Sequence, residues 1–397
     1  MNTFDTVGNQ LAARLHDHLA QDLLNELKVQ GKLPSEVIVK ECARLHSELV
    51  ALTSYIPALI HRDTSLVTPG CIIGAYWEGS VLFADLSGFT ALSGTLSTLG
   101  KQGAEEVSAI INSLFGAMLD EIHRYQGVLL KFGGDAITAF FDAASLGEDH
   151  ARLACRAALA MQERMSAFAS LDTRAGSFQL RLRIGVHSGR VFAGQVGDQE
   201  HIELVVTGRN INRVAMAQEI AEPGEVVVSI DTLRLLGPTS AQERQSGFHL
   251  LQSLPPIEPP QSVTRWNLRR GSGDMAELLD LVEQIERLRP YLPYNLPRRF
   301  LATDGTPEIG EFRPVTVLFA NFFPFSMALD IIGDQPELAA QILNAYYSRA
   351  QEVIHRYGGI VNKVDMYTKG DKLMALFGAP VAHEDDPVRA TRAALEL

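Results

Sequence analysis

Two stretches of this chain, roughly 230 residues apart, repeat one plan, and that duplication constrains the fold more than any other feature. Val81-Leu82-Phe83-Ala84-Asp85 is echoed by Val317-Leu318-Phe319-Ala320-Asn321. His123-Arg124-Tyr125-Gln126-Gly127 returns as His355-Arg356-Tyr357-Gly358-Gly359, and Lys131 as Lys363. Gly133 to Phe140 returns as Lys369-Gly370-Asp371 through Phe377. A repeat of this length implies two homologous domains rather than a solenoid of short units. The second copy loses one carboxylate and reaches Leu397 inside its third helix without a stop signal, so a truncated chain is expected.

Periodicity divides the rest. Residues 1–75 read as an N-terminal helical segment, with Leu11, Leu15, Leu19, Leu23 and Leu27 recurring every four residues. Residues 76–235 read as a first domain. Its strand at Val81–Ala84 leads to a helix over 87–99 and a stronger one with Val107, Ile110, Leu114, Met118 and Ile122 on one face. Gly127 is expected to stop that helix. Strands flank Gly133-Gly134, a long helix covers 148–169, and a hairpin is expected to turn at Ser188-Gly189. A strand, a helix over 210–220 and a last strand complete an α+β core of ferredoxin-like order. Residues 236–311, with Pro255-Pro256 and Pro259-Pro260, read as a Pro-rich connector holding one helix at 274–288. Residues 312–397 are the first half of a second domain.

A net charge of −12 argues against a general nucleic-acid binder, and 46% hydrophobic with 21% charged residues is ordinary for a globular chain. Cys42, Cys71 and Cys155 form neither a disulfide framework nor a metal pattern, which suits a reducing cytoplasm. No signal peptide and no membrane span is visible.

The chemistry sits at two aspartates. Asp85 ends an apolar run before Leu86-Ser87-Gly88-Phe89-Thr90, and Asp135 follows Gly133-Gly134. Either alone would serve as a helix cap or turn residue. Together, in one α+β core, they can hold divalent metal while backbone N–H groups at a helix start cradle phosphates.

These residues, with Ile184-Gly185-Val186-His187-Ser188-Gly189 and Thr207-Gly208-Arg209-Asn210-Ile211-Asn212, resemble a class III nucleotidyl cyclase catalytic domain. The resemblance covers about residues 76–235 and again 312–397, and is nearest to soluble adenylyl cyclases with tandem, unequal catalytic domains. It implies two ferredoxin-like cyclase domains, the second incomplete, pairing head to tail within the chain. It implies two ions, Mg²⁺ or Mn²⁺, on Asp85, Asp135 and the carbonyl of Leu86. Ser87, Gly88, Phe89 and Thr90 would then hold the substrate, ATP, and Lys363 would read its base, with Lys369 a rival for that role. The implied reaction is ATP to cyclic AMP and pyrophosphate. A downstream ATPase-like region is usual in such relatives.

Departures from the family pattern matter too. Asn212 fits the family's catalytic asparagine, but Met216 stands at the arginine position and Asn321 replaces the first metal aspartate, although Asp371 remains. A site built from second-domain metals and Asn212 should therefore be inactive. The competent site needs an asparagine–arginine pair from the second domain. In similar enzymes the degenerate pocket takes bicarbonate. Lys131 would line that regulatory pocket here, with Ala215 where those relatives carry an arginine.

His123, His187 and His355 are expected to be structural. The rival reading is a non-catalytic cyclase-homology module that binds nucleotide or a partner. A diguanylate cyclase is disfavoured because Ala136-Ile137 follows Asp135.

Overall fold

The computed structural model describes residues 3–53, 56–57, 60, 71–260, 273–292, 313–322, 325–367 and 370–397. Its central element is β1 (Ile73–Ser87), paired antiparallel with β6 (Arg181–Gly197) in an unbroken register from Ile73–Gln195 to Ser87–Arg181. The hairpin expected at Ser188-Gly189 does not exist. β6 runs straight through because its whole length has a partner in β1, and Gly79 lies opposite Gly189. Gly189 is small for another reason: a Cβ there would lie 2.7 Å from the Asn210 side chain.

Around this pair the sheet runs β2 (Val128–Phe132), β3 (Ala136–Asp142), β1, β6, β8 (Val226–Ser229), β10 (Phe248–Ser253), β9 (Ser240–Gln245), with β7 (Ile202–Thr207) also on β6. Only β6–β8 is parallel among these pairs. The sheet thus continues to Ser253, beyond the boundary expected at residue 235. A short hairpin, β4 (Leu171–Thr173) and β5 (Gly176–Phe178), stands apart.

Alternation along β1 assigns its two faces. Leu82, Ala84 and Leu86 pack with Ile137, Ala139 and Phe141 under the helices of one face. Those helices are α4 (Phe89–Ser97), α5 (Lys101–Arg124) and α6 (His150–Arg164), which contribute Leu92, Leu114, Met118, Ile122, Ala154, Ala158 and Met161. Val81 and Phe83 face the other way, in a cluster with Phe140, Val191 and two residues of α7 (Arg209–Ile220), Ile211 and Val214. At Gly185 the helix nearly touches the strand, since a Cβ would lie 2.5 Å from both Val214 O and Gln218 N.

The turn after α5 corrects one expectation. Gln126, not Gly127, takes the left-handed conformation, with φ of 62°. Gly127 is small because Phe141 lies against it, 2.5 Å from an added Cβ. The second copy repeats the arrangement, with Gly358 at φ 79° and Gly359 under Phe377.

The second copy has β11 (Thr316–Phe322), α10 (Phe325–Ile332), α11 (Pro336–Arg356), β12 (Ile360–Tyr367), β13 (Gly370–Phe377) and α12 (Asp386–Glu396), the strands ordered β11-β13-β12. Asn321 pairs with Lys372 as Asp85 pairs with Ala136, each partner displaced by the same number of positions. In that alignment Val317 and Phe319 occupy the places of Val81 and Phe83. They are 43% and 59% exposed, whereas Val81 is 1% exposed beneath α7.

The two halves share a core. Phe192, Val196 and Val205 of the first half join Phe325, Leu343, Tyr347 and Val353 of the second. α11 docks where β1 carries Gly74, whose added Cβ would meet Pro336 O at 2.0 Å. Tyr76 Oη donates to Gly333 O at 2.6 Å, and Gly197 N donates to Asn344 Oδ1 at 2.7 Å. His355, in the last turn of α11, stacks on His201 across the interface, 6.4 Å between centroids, and burial pushes the His201 imidazole down to about 4.

The N-terminal segment and the connector share one core among their described residues. α1 (Thr3–Arg14), α2 (Gln21–Gln30) and α3 (Ser35–Thr53) bury Leu24, Leu27, Leu45 and Leu49, with Leu15 just after α1, against Leu278, Val282 and Ile285 of α9 (Met275–Leu288). Between α7 and α9 lies α8 (Ile230–Leu236), whose Leu236 packs into the core beneath α5 and α6. Asp274 caps α9 by accepting from Glu277 N at 2.9 Å. Glu286 ties the pieces through Arg14 at 2.5 Å and His18 at 3.2 Å.

Gly185→Ala should lower stability by about 1–3 kcal/mol, the usual cost of overpacking, because backbone on both sides must move. Thermal unfolding checks it; an unchanged Tm would mean that α7 is not seated on β6 as described.

Candidate active site

β1 delivers Asp85 to the end of the sheet, on the face that α7 covers. Across β3 it lies opposite Ala136, so Asp135 is the residue just before its partner. Burial raises the Asp135 pKa above the ordinary carboxylate value, and the negative charge of Asp85 raises it further; its own N–H and Arg183 act in opposition. The two carboxyls are thus close enough to repel.

Two residues at this centre were not legible as site residues. Arg183 lies opposite Asp85 on β6 and donates from Nη2 to Asp85 Oδ2 at 2.5 Å. Gln218 of α7, 5% exposed, donates from Nε2 to the same oxygen at 3.4 Å. The signal for Arg183 was its place in Arg181-Leu182-Arg183-Ile184, but only the antiparallel register reveals which acid it faces.

Among the described residues no group of three or more His, Cys, Asp or Glu side chains could hold a metal. Two repelling carboxylates beside one guanidinium nonetheless fit a divalent cation. Mg²⁺ characteristically takes one or two carboxylates and completes its shell with water and substrate phosphates. The Leu86 carbonyl, next in the chain, is the further oxygen available.

Gly88 adjoins this centre. It precedes α4 with φ of 94°, and a Cβ would lie 2.4 Å from Gln179 O. Only glycine fits both the left-handed conformation and that approach. Phe89 and Thr90 then open a nine-residue helix whose first N–H groups have no partner within it. Ser87 is the last residue of β1, and Gly88 and Thr90 are exposed.

A second, depleted centre lies where the halves meet. Lys131 Nζ donates to Val364 O at 3.0 Å, and Asn212 Nδ2 donates to Ser326 Oγ at 3.2 Å. Asp371, 3% exposed, accepts from Phe325 N at 2.6 Å. Burial pushes its carboxyl up to about 6 despite that hydrogen bond and the nearby Lys131 ammonium. Asn212 therefore stands with Ser326, and Lys131 with Asp371, on the side of Asn321 rather than of Asp85.

Lys363 pairs with Met374 just after a bulge in β12, as Lys131 pairs with Thr138 just after a bulge in β2. The hairpin beyond Lys363 is longer than its first-half counterpart. Lys369, the rival, lies outside the described residues. His187 bridges Ser229 Oγ at 2.7 Å and Asn210 Oδ1 at 2.9 Å, tying the start of α7 to β6 and β8.

Residues 74–253 match the family described as Adenylate and Guanylate cyclase catalytic domain. Adenylate cyclase type 10 of Oryctolagus cuniculus is 24% identical over 361 residues, which is 86% of this chain and 22% of that protein. Adenylate cyclase 1 of Rhizobium meliloti is 32% identical over 135 residues, 34% of this chain and 19% of that protein. The chain spans about a fifth of the length of these relatives. The adenylyl cyclase CyaB from P. aeruginosa superposes with a TM-score of 0.40 at 22% identity, over 47% of this chain and 99% of that one. No helix among the described residues is long and apolar enough to cross a membrane.

A carboxyl whose folded pKa is raised from 3.8 to about 6 binds its proton more tightly folded than unfolded. Its contribution to stability is therefore lost as pH rises from about 4 to about 6. Asp371→Asn should keep the acceptor for Phe325 N and remove that loss. The variant should gain up to about 3 kcal/mol over wild type at pH 7.5 and little at pH 4, as read by denaturant unfolding at both. An equal difference at the two pH values would contradict a buried, titrating Asp371.

Proposed function

We propose that this chain, whose residues 74–253 are an adenylate and guanylate cyclase catalytic domain, is the catalytic part of an adenylate cyclase that converts ATP to cyclic AMP and pyrophosphate. The observation that carries the reading is an asymmetry. Asp85 and Asp135 stand together in the first half, while the matching place in the second half holds Asn321 beside a buried Asp371. One competent site and one depleted site then belong to the paired halves.

Asp85, Asp135 and the Leu86 carbonyl would hold Mg²⁺ or Mn²⁺, which supplies charge to the triphosphate and acidifies the ribose 3′-hydroxyl. The chain's own residues do the rest. Gly88, Phe89 and Thr90 present backbone N–H groups to phosphate oxygens, with Ser87 at the lip. Arg183 balances the carboxylates in the free protein and is a cation within reach of the phosphates. Gln218 fixes the orientation of Asp85. Lys363, on the hairpin equivalent to that of Lys131, donates to an adenine ring nitrogen; guanine carries an N–H at that position and cannot accept. The 3′-oxygen attacks the α-phosphorus, the bond to the β-phosphate oxygen breaks, and pyrophosphate leaves with that electron pair.

An asparagine–arginine pair on a helix covering Val317 and Phe319, as α7 covers Val81 and Phe83, would complete the site. Their exposure favours such a cover. The second site lacks one metal carboxylate and, at Met216, the phosphate-steadying arginine, so it turns over no substrate. Removing one preorganised donor alone costs about 10²–10³ in rate. Asn321 and Met216 also support the second reading, a cyclase-homology module that binds nucleotide without turnover.

Full-length protein with Mn²⁺-ATP should form cyclic AMP, and Asp85→Ala should abolish it while leaving Tm within a few degrees. Asn321→Ala should retain the rate. Nucleotide binding without product in the wild type would establish the non-catalytic reading instead. Lys363→Ala should lower kcat/KM for ATP at least about tenfold, the worth of one well-placed hydrogen bond to the base. An unchanged ATP-to-GTP preference would remove Lys363 from the base site.

A further inference from the structure

We propose that the cleft between α5 and α6, on the sheet face away from α7, binds a small tetrahedral dianion, either inorganic phosphate or a phosphate monoester. The inference does not rest on the cyclase reading. A cavity of ≈ 470 Å³ lies there, large enough for a phosphate with a small organic body.

Helical spacing builds the walls. Arg156, Ala160, Glu163 and Arg164 fall on one face of α6, and Glu121, Arg124 and Tyr125 on the facing side of α5 and its end. Ala160 is the smallest of these, and its methyl leaves the space open. Glu121, whose side chain is 7% exposed, is already occupied: Arg164 Nε approaches it at 3.0 Å and Arg124 Nη1 at 3.4 Å. Those contacts hold two guanidinium groups at the rim.

Arg156 is different. It lines the cavity, and among the described residues its guanidinium has no hydrogen-bond or ion-pair partner. A guanidinium with no acceptor of its own is free to turn its terminal N–H groups to an anion that enters the cavity. Glu163 lines the same cavity without an ion pair among the described residues, so the lining carries three guanidinium groups against two carboxylates, one of them saturated. Arginine presents a planar pair of N–H groups that matches two oxygens of a phosphate. Carboxylates fit the fork too, but the excess of positive charge favours the doubly charged ion.

Isothermal titration of the full chain, free of divalent cations and nucleotide and at low salt, tests the proposal with inorganic phosphate and with glycerol phosphate as probes. Acetate serves as the carboxylate control. Either phosphate should bind more tightly than acetate, and added salt should weaken it. Tighter binding of the monoester would assign the cavity to an organic phosphate; tighter binding of the free ion would assign it to inorganic phosphate.

Arg156→Met should weaken binding at least about tenfold, and Ala160→Leu, which fills the space without touching a charge, should do the same. Asp85→Ala should leave it unchanged. Two results overturn the proposal. One is no heat from either phosphate up to about 10 mM with a native circular dichroism spectrum. The other is affinity unaltered in both folded α6 variants.

Discussion

The antiparallel pairing of β1 with β6 is the constraint on which the rest of the molecule depends. Its unbroken register sets Asp85 opposite Arg183 at one end. Toward the other end it brings Gly74 and Phe192 under the second half, where α11 and α10 dock. One ladder therefore fixes both the carboxylate centre and the platform for the partner half. A slip by a single residue would turn Asp85 into the α5–α6 core and Leu86 out of it. Fifteen consecutive positions of β1 share that register, so such a slip is opposed along the whole strand.

The two halves match in packing and differ in charge. The packing features are kept: Gly127 under Phe141 and Gly359 under Phe377, the bulges before Lys131 and Lys363, the equivalent pairs Asp85–Ala136 and Asn321–Lys372. What changes is charge. Where the first half keeps two carboxylates and a guanidinium, the second keeps one buried carboxyl held by a backbone N–H and neighboured by Lys131. A lone buried acid with a raised pKa is an internal structural group more than a seat for a doubly charged cation.

The helices outside the two halves are joined for a similar physical reason. α1, α2 and α3 present a leucine face too large to leave in water, and α9 carries the apolar stripe that covers it. The chain between the halves is thereby anchored to the N-terminal helices, and Tyr291, just after α9, reaches back to Gln195 of β6 at 2.6 Å.

By itself the sequence determined much of this protein: the α+β class, the helices with strong apolar faces, and the two aspartates beside glycine. These are local patterns, legible because side-chain period and turn chemistry are written within a few residues. Only the tertiary structure decided the rest. Ser188-Gly189 looked like a turn because local chemistry cannot report a continuous partner strand. Gly127 looked like a helix stop because a distant phenylalanine is invisible from its neighbours. Arg183 and Gln218 join Asp85 across 98 and 133 positions, and Asn212 meets Ser326 across 114, through register and packing that no local signal encodes. Residue type announced the chemistry; long-range pairing chose which residues share it.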